Sequence, residues 1–167
     1  LTYVVLFPGL ASFLFWIKLN RSNTRVASSP LSEDGKFGNA KSFIDHACLL
    51  VKGDKKQNIL IVGSNYYQEI YQNLVDETKE EVEKHNLFCH LETVTGVFEI
   101  PSIITFCKYK FDGYIALGCV IRGETTHYDY VCNESARALM NISLEGFAIG
   151  YGILTVENYN QALVRSK

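Results

Sequence analysis

The sequence lacks an excess of charge of either sign. Its 16 lysine and arginine residues are nearly balanced by 18 aspartate and glutamate residues, and the net charge is −2 at pH 7. A surface that binds nucleic acid through its phosphates needs clustered positive charge, so this balance argues against a nucleic-acid-binding protein. Single basic side chains stay available to bind one phosphate group.

The sequence also lacks the residue spacings of a metal site. No two of the five cysteines form a CxxC pair, and the four histidines show no zinc-ligand spacing. Several cysteines lie inside apolar runs, and their number is odd. These features predict buried, reduced thiols in a reducing compartment, and no metal ion is expected.

Charge is absent from the first 17 residues, LTYVVLFPGLASFLFWI. This run is short for a membrane span, and Pro8 and Gly9 interrupt it. Basic residues follow the run, which is the reverse of their order in a secretory signal. A signal or transit segment, a short anchor and a mispredicted upstream extension all stay open. We take residues 1–57 as an N-terminal extension, an apolar segment plus linker, and expect no membrane association of the core domain.

From Asn58 onward, short apolar runs alternate with helix-forming segments. The pattern predicts strands at 58–63, 87–94, 113–121 and 147–155, and helices at 69–86, 101–108, 131–145 and 157–165. Four alternations of strand and helix predict an α/β domain, with a mostly parallel four-stranded sheet between two layers of helices. We assign residues 58–167 to this domain.

In such sheets, ligands bind beyond the carboxyl ends of the strands. Tyr66 follows the first predicted strand, where its ring can stack on a flat heterocycle or pack into the core. Glu99 lies in the stretch TGVFEIP, beside the start of a predicted helix. A carboxylate there caps the helix, or it accepts hydrogen bonds from the hydroxyl groups of a polyol.

The third predicted strand runs directly into charged and hydroxyl side chains, RGETTHYD. The turn around Glu124 and Thr125 supplies N–H groups and hydroxyls that can cradle an anion. His127 follows, and an imidazole can exchange protons near neutral pH. Arg165, in the last predicted helix, has the planar fork that binds phosphate. Each of these residues alone is also compatible with an ordinary surface position.

Four stretches together resemble the lumazine synthase family: SNYYQEI, TGVFEIP, GCVIRGETTHYDYVCNES and GYGILTVENYNQALVR. The resemblance covers residues 58–165 and implies a flavodoxin-like three-layer α/β/α sandwich. It implies a transferase of riboflavin biosynthesis that joins 5-amino-6-(D-ribitylamino)uracil to 3,4-dihydroxy-2-butanone 4-phosphate. The implied products are 6,7-dimethyl-8-ribityllumazine, inorganic phosphate and water, formed without metal or organic cofactor.

The resemblance also implies a role for each site residue. The residues implied to bind the ribitylaminouracil are Tyr66, Val97, Phe98, Glu99, Cys119, Val120, Ile121 and Tyr151. Glu124, Thr125 and Arg165 are implied to bind the phosphate, and His127 to transfer protons.

The family assembles as pentamers or multiples of pentamers with sites between subunits. The resemblance therefore implies a homo-oligomer, in which Tyr151 and Arg165 act at the subunit boundary. Riboflavin synthase is a further implied partner. We expect a cytoplasmic location, or an organelle such as a plastid if residues 1–57 are a transit segment.

The sequence departs from the family pattern at a few positions. Asn65 replaces the usual aromatic or basic residue, Tyr67 replaces a more common Asn or His, and Thr95 replaces a proline. The sequence ends at Lys167, where the family continues with a turn and a last helix, so we expect a domain truncated at its C-terminus. Two alternatives stay open: a non-catalytic relative that binds flavin or lumazine, and an inactive truncated form.

Overall fold

Strands and helices alternate along the whole part of the chain that the computed structural model describes, residues 57–167. The elements are β1 (Asn58–Ser64), α1 (Gln68–Lys84), β2 (Phe88–Val94), α2 (Ile100–Phe106), β3 (Gly113–Ile121), α3 (His127–Leu144), β4 (Ile149–Val156) and α4 (Tyr159–Arg165). A 3-10 turn, Val97–Glu99, leads into α2. The interpretations of residues 1–56 lie outside the described residues.

The four strands form one sheet with the order β2-β1-β3-β4, and every neighbouring pair is parallel. The central strands β1 and β3 are buried along nearly their whole length. Continuous apolar runs suit strands that helices cover on both faces. The predicted α/β fold with a parallel sheet is confirmed, and because all the strands are parallel, their carboxyl ends lie at one edge.

Side chains alternate between the two faces of the sheet, because successive residues of a strand point in opposite directions. On one face, Ile61 and Leu117 pack with Val75 of α1. On the other face, Val62 packs with Ile104 of α2 and Leu139 of α3. Full burial of such a side chain stabilises the fold by about 1.5–3 kcal/mol. Together, these two apolar layers hold the loops at the carboxyl edge in place.

Helix α3 corrects one boundary of the sequence prediction. It begins at His127, four residues before the predicted start at 131. The segment HYDY has no apolar face at helical spacing, so its sequence pattern does not predict a helix. In the structure, His127 and Asp129 therefore lie in the first turn of a long helix. In a smaller correction, β4 begins at Ile149 rather than at 147.

No helix within residues 57–167 combines the length and the apolar character that crossing a bilayer requires.

Candidate active site

Four loops meet at the carboxyl edge of the sheet, and hydrogen bonds link neighbouring pairs of them. The backbone N–H of Asn65 donates to the carbonyl of Val94 at 3.0 Å, and the hydroxyl of Ser64 donates to the carbonyl of Thr95 at 3.0 Å. On the other side, the N–H of Arg122 donates to the carbonyl of Val156 at 2.9 Å. These hydrogen bonds therefore connect the loop after β1 to the loop after β2. They also connect the loop after β3 to the loop after β4.

The loop of residues 95–99, here called the ring loop, lies directly against β3. A Cβ atom added to Gly118 would lie 2.6 Å from Cγ2 of Val97 and 3.3 Å from Cβ of Ser64. The absent side chain of Gly118 therefore makes room for this loop. Val97 is buried at the contact, whereas Phe98 is 58% exposed.

Two aromatic side chains stand exposed on neighbouring loops. Tyr66, on the loop after β1, is 68% exposed, and Phe98 projects from the ring loop. The ring of Tyr66 packs edge-to-face with that of Tyr67, at 5.0 Å between centroids. These exposed aromatic rings, close in sequence to the buried contact of Val97 with Gly118, offer a surface on which a flat heterocycle can stack.

Glu99 closes the ring loop on itself. Its Oε2 accepts a hydrogen bond from the backbone N–H of Gly96 at 2.6 Å. This is the capping interaction that the sequence left open as one interpretation. An ionised carboxylate has about four acceptor positions, so the same group can also accept hydrogen bonds from ligand hydroxyls. The exposed position of Glu99 makes it accessible to such a ligand.

The last residues of β3 present apolar contacts to this edge. Cys119 is buried, and Val120 and Ile121 are half-buried on opposite faces of the sheet. Burial, with a smaller contribution from Cys132, raises the pKa of the Cys119 thiol to about 11. Because only the thiolate is a strong nucleophile, Cys119 is a packing residue at neutral pH rather than a nucleophile.

Residues 123–126, here called the anion loop, run into the N-terminus of α3. The side chains of Glu124, Thr125 and Thr126 are exposed, and His127 is the first residue of the helix. The N–H of His127 donates to Oγ1 of Thr125 at 3.4 Å. The free N–H groups and the positive end of the dipole attract anions at a helix N-terminus.

Arg122, at the end of β3, joins three elements of the site. Its Nε donates to both oxygens of Glu157, at 3.0 and 3.2 Å, and its Nη1 donates to Oδ1 of Asp129 at 3.2 Å. The guanidinium lies 4.0 Å from the centroid of the Tyr128 ring. Asp129 is thus paired with Arg122 rather than free to contact a ligand.

The family model of 6,7-dimethyl-8-ribityllumazine synthase matches residues 56–167.

The chain belongs to this family.

The enzyme of that name from Bartonella tribocorum is 45% identical over 117 residues, which are 68% of this chain and 78% of the relative. The one from Zymomonas mobilis is 45% identical over 109 residues, which are 64% of this chain and 78% of the relative.

The lumazine synthase fold brings most of the predicted site residues to the carboxyl edge. The residues found there are Tyr66, Val97, Phe98, Glu99, Cys119, Val120, Ile121, Glu124, Thr125 and His127. The first three strands of the sheet order supply all of them, together with the segments that follow those strands. Within residues 57–167, no group of three His, Cys, Asp or Glu side chains is placed to hold a metal ion.

Two predicted site residues lie away from this edge in the single chain. Tyr151 is half-buried in the middle of β4, paired with Ala116, and it makes a side-chain hydrogen bond with Ser135. At about 3.3 Å per residue, it lies about 16 Å before the end of the strand. Arg165 is exposed in the last turn of α4. Both are the residues whose implied role lies at a subunit boundary.

The sequence interpretation assigned no role to Arg122 or Gly118, which both contact other segments at the carboxyl edge. A signal for Arg122 was present, since Arg122 directly follows the third predicted strand and Glu157 comes shortly after the fourth. Neighbouring parallel strands end side by side, so a contact between these opposite charges is compatible with the predicted sheet. No local signal marks Gly118, whose importance depends on a loop that approaches from another part of the chain.

Proposed function

We propose that this chain forms 6,7-dimethyl-8-ribityllumazine at the carboxyl edge of its sheet, between the aromatic side chains and the anion loop. Family membership makes the chain a transferase of riboflavin biosynthesis. The reaction condenses 5-amino-6-(D-ribitylamino)uracil with 3,4-dihydroxy-2-butanone 4-phosphate. The observation that carries the location is the anion loop, which leads into the first turn of α3 with His127 at its start.

The pyrimidine substrate fits the side of the edge formed by the ring loop. We assign stacking of the pyrimidine to Tyr66 and contact with it to Phe98, because both rings are exposed there. Val97 and Cys119–Ile121 supply apolar and backbone contact, and Glu99 accepts a hydrogen bond from a ribityl hydroxyl.

The phosphate of the second substrate fits the anion loop. Backbone N–H groups at the start of α3 and the hydroxyl of Thr125 are donors for phosphate oxygens. We assign the positive charge to Arg165. Glu124 is assigned to the phosphate side of the site by its place in this loop, and its carboxylate would accept hydrogen bonds from the hydroxyls of the butanone.

His127 is the assigned proton-transfer group. Attack of the substrate amine on the butanone carbonyl forms an imine and releases water, and elimination then releases inorganic phosphate. Attack of the ribityl-bearing nitrogen on the remaining carbonyl closes the second ring and releases a second water. These steps move protons to or from oxygen, nitrogen and carbon, which an exposed imidazole at this position can assist. Much of the rate comes from holding two substrates in one orientation, so His127 increases the rate of a reaction that the site already favours.

The remaining assignments concern the assembly and the cell. We propose that residues 58–167 form the catalytic domain and that residues 1–57 precede it as an extension. A homopentamer, or a multiple of it, would place Tyr151 and Arg165 of one copy near the site of another.

Riboflavin synthase is proposed as a partner because it uses the lumazine. The proposed location is the cytoplasm, with a plastid or similar organelle as the alternative.

The first experiment mixes the purified chain with both substrates and follows the absorbance and fluorescence of the lumazine. We expect product above the uncatalysed rate. His127→Ala is expected to lower kcat by about 100-fold without abolishing turnover, at the lower end of the roughly 100- to 10,000-fold that one general acid–base group contributes, because the substrates stay positioned. His90→Ala is a matched control, since His90 lies within β2 and packs on Phe111; its kcat should not change.

The other outcomes each favour a different function. An assembled protein that binds the lumazine but forms none would indicate a non-catalytic ring-binding relative. A protein that neither assembles on size-exclusion chromatography nor turns over would indicate an inactive form. Complete loss of turnover in His127→Ala with intact substrate binding would contradict the assisting role of the histidine.

A further inference from the structure

We propose that Arg122 is a positioning residue that fixes the anion loop for the phosphate of the butanone substrate. The inference rests on the proposed function, because it takes the loop of residues 123–126 as the phosphate site. Arg122 precedes this loop directly, and its side chain does not extend freely toward a ligand. The guanidinium is occupied by two carboxylates and an aromatic ring.

The contacts of Arg122 close the anion loop at both ends. Before the loop, the backbone N–H of Arg122 is bonded to the carbonyl of Val156 at the end of β4. After the loop, Asp129 in the first turn of α3 accepts a hydrogen bond from the guanidinium. One side chain therefore connects the segments that enter and leave the loop, and Glu157 joins this connection to the end of β4.

The loop itself is weakly packed, so this connection matters for its shape. A Cβ atom added to Gly123 would have no other atom of the described chain within 4 Å. The side chains of Glu124, Thr125 and Thr126 are exposed. An exposed loop keeps a fixed set of N–H directions only if its ends are fixed, and small errors of position cost much of the benefit of a bound geometry.

Tyr128 helps to hold the guanidinium of Arg122 in this position. Its ring lies against the guanidinium at 4.0 Å, and its side chain is hydrogen-bonded to Thr155 and Cys132. An arginine that stacks on an aromatic ring and pairs with carboxylates uses its planar shape, which a lysine lacks. A lysine at position 122 would keep the positive charge and lose this geometry.

A second arginine on α3 provides a matched control. Arg137 pairs with Glu134 on the same helix, and its side chain is 62% exposed, compared with 40% for Arg122. Both are ion-paired exposed arginines, and such pairs contribute little to stability. If Arg122 only stabilised the fold, its loss and the loss of Arg137 would have similar effects.

The test is the steady-state kinetics of the full chain, with each substrate varied in turn, for wild type, Arg122→Gln, Arg122→Lys and Arg137→Gln. In Arg122→Gln we expect the KM for the butanone phosphate to rise about five- to tenfold, with the KM for the pyrimidine within about twofold of wild type. Inhibition by inorganic phosphate should weaken by a similar factor. Arg122→Lys should restore less than half of the loss, and Arg137→Gln should match wild type.

Glu157→Gln serves as a second variant if Arg122→Gln does not assemble, because it removes the charge of the partner and keeps its shape. It should also raise the KM for the butanone phosphate. Equal rises in both KM values, or no difference between Arg122→Gln and Arg137→Gln, would overturn the positioning role. Wild-type protein without lumazine synthesis would instead contradict the proposed function, so the two failures are distinguishable.

Discussion

The two loops of the candidate site are held in place by different forces. The ring loop is fixed by burial, because Val97 packs against the bare backbone of Gly118 and the adjoining Ile100 is fully buried. The anion loop is exposed and is fixed by charge, through the contacts of Arg122 with Glu157 and Asp129. Apolar packing holds a loop firm for a flat ring that stacks through its face, whereas a loop that binds phosphate must keep its N–H groups in contact with water until the ligand arrives.

The largest expected effect comes from filling the space beneath the ring loop. Gly118→Ala places a Cβ 2.6 Å from Cγ2 of Val97, which is closer than van der Waals contact allows. Overpacking of this kind costs about 1–3 kcal/mol, and the displaced loop should raise the KM for the pyrimidine. Urea unfolding and substrate kinetics measure the two effects.

The corresponding change in the anion loop gives the control. Gly123→Ala meets no described atom within 4 Å and should leave the midpoint of unfolding nearly unchanged. Equal destabilisation by the two substitutions would show that burial does not distinguish the loops.

The next effect comes from the charge of Glu99, which closes the ring loop. Glu99→Gln keeps the size of the side chain but removes the charge that accepts the N–H of Gly96 at 2.6 Å. A hydrogen bond to a charged group contributes about 1.5–3 kcal/mol, part of which the amide oxygen retains, so we expect the KM for the pyrimidine to rise about three- to tenfold. Glu92→Gln, an exposed carboxylate of β2, should have no effect. A rise in the KM for the butanone phosphate alone would contradict the assignment of Glu99 to the pyrimidine substrate.

Added salt should weaken the ion pairs that hold the anion loop and leave the ring loop unchanged. The paired side chains of Arg122, Asp129 and Glu157 are 40–60% exposed, so added ions screen them. Raising the salt concentration to about 0.5 M shortens the Debye length to a few ångström. We expect the KM for the butanone phosphate to rise about threefold and that for the pyrimidine to change little. A larger rise in the KM for the pyrimidine would show that charge holds the ring loop more than the anion loop.

The last effect concerns β3, which contacts the ring loop at Gly118 and leads into the anion loop. Burial raises the pKa of Cys119 from 9.0 to about 11, so the folded state keeps this proton over a range of pH in which the unfolded chain releases it. Stability therefore falls as pH rises from about 9 toward 11, by about 1–2 kcal/mol from this group. The loss should be smaller in Cys119→Ala, measured by urea unfolding at pH 8.5 and 10.5. An identical loss in both proteins would argue against a protonated, buried thiol.

Much of this site could be predicted from the order of residues along the chain. The apolar runs at 58–63 and 113–121 predicted buried parallel strands, and the polar stretch after the second of them predicted a loop at the carboxyl edge. The first turn of α3 was missed, because HYDY lacks an apolar face. That turn forms next to the end of β3, where Arg122 and Asp129 meet.

The sequence by itself determined the fold, the family and the identity of the residues at the carboxyl edge. Periodicity sets the strands, and the parallel order then brings the ends of the strands to one side. The tertiary structure alone decided which groups are partners. It pairs Asp129 with Arg122, and it places the ring loop over Gly118. The ring loop and Gly118 belong to separate segments of the chain, and the pairing of Arg122 with Asp129 depends on how the loop between them folds. No local pattern of side chains encodes either distance.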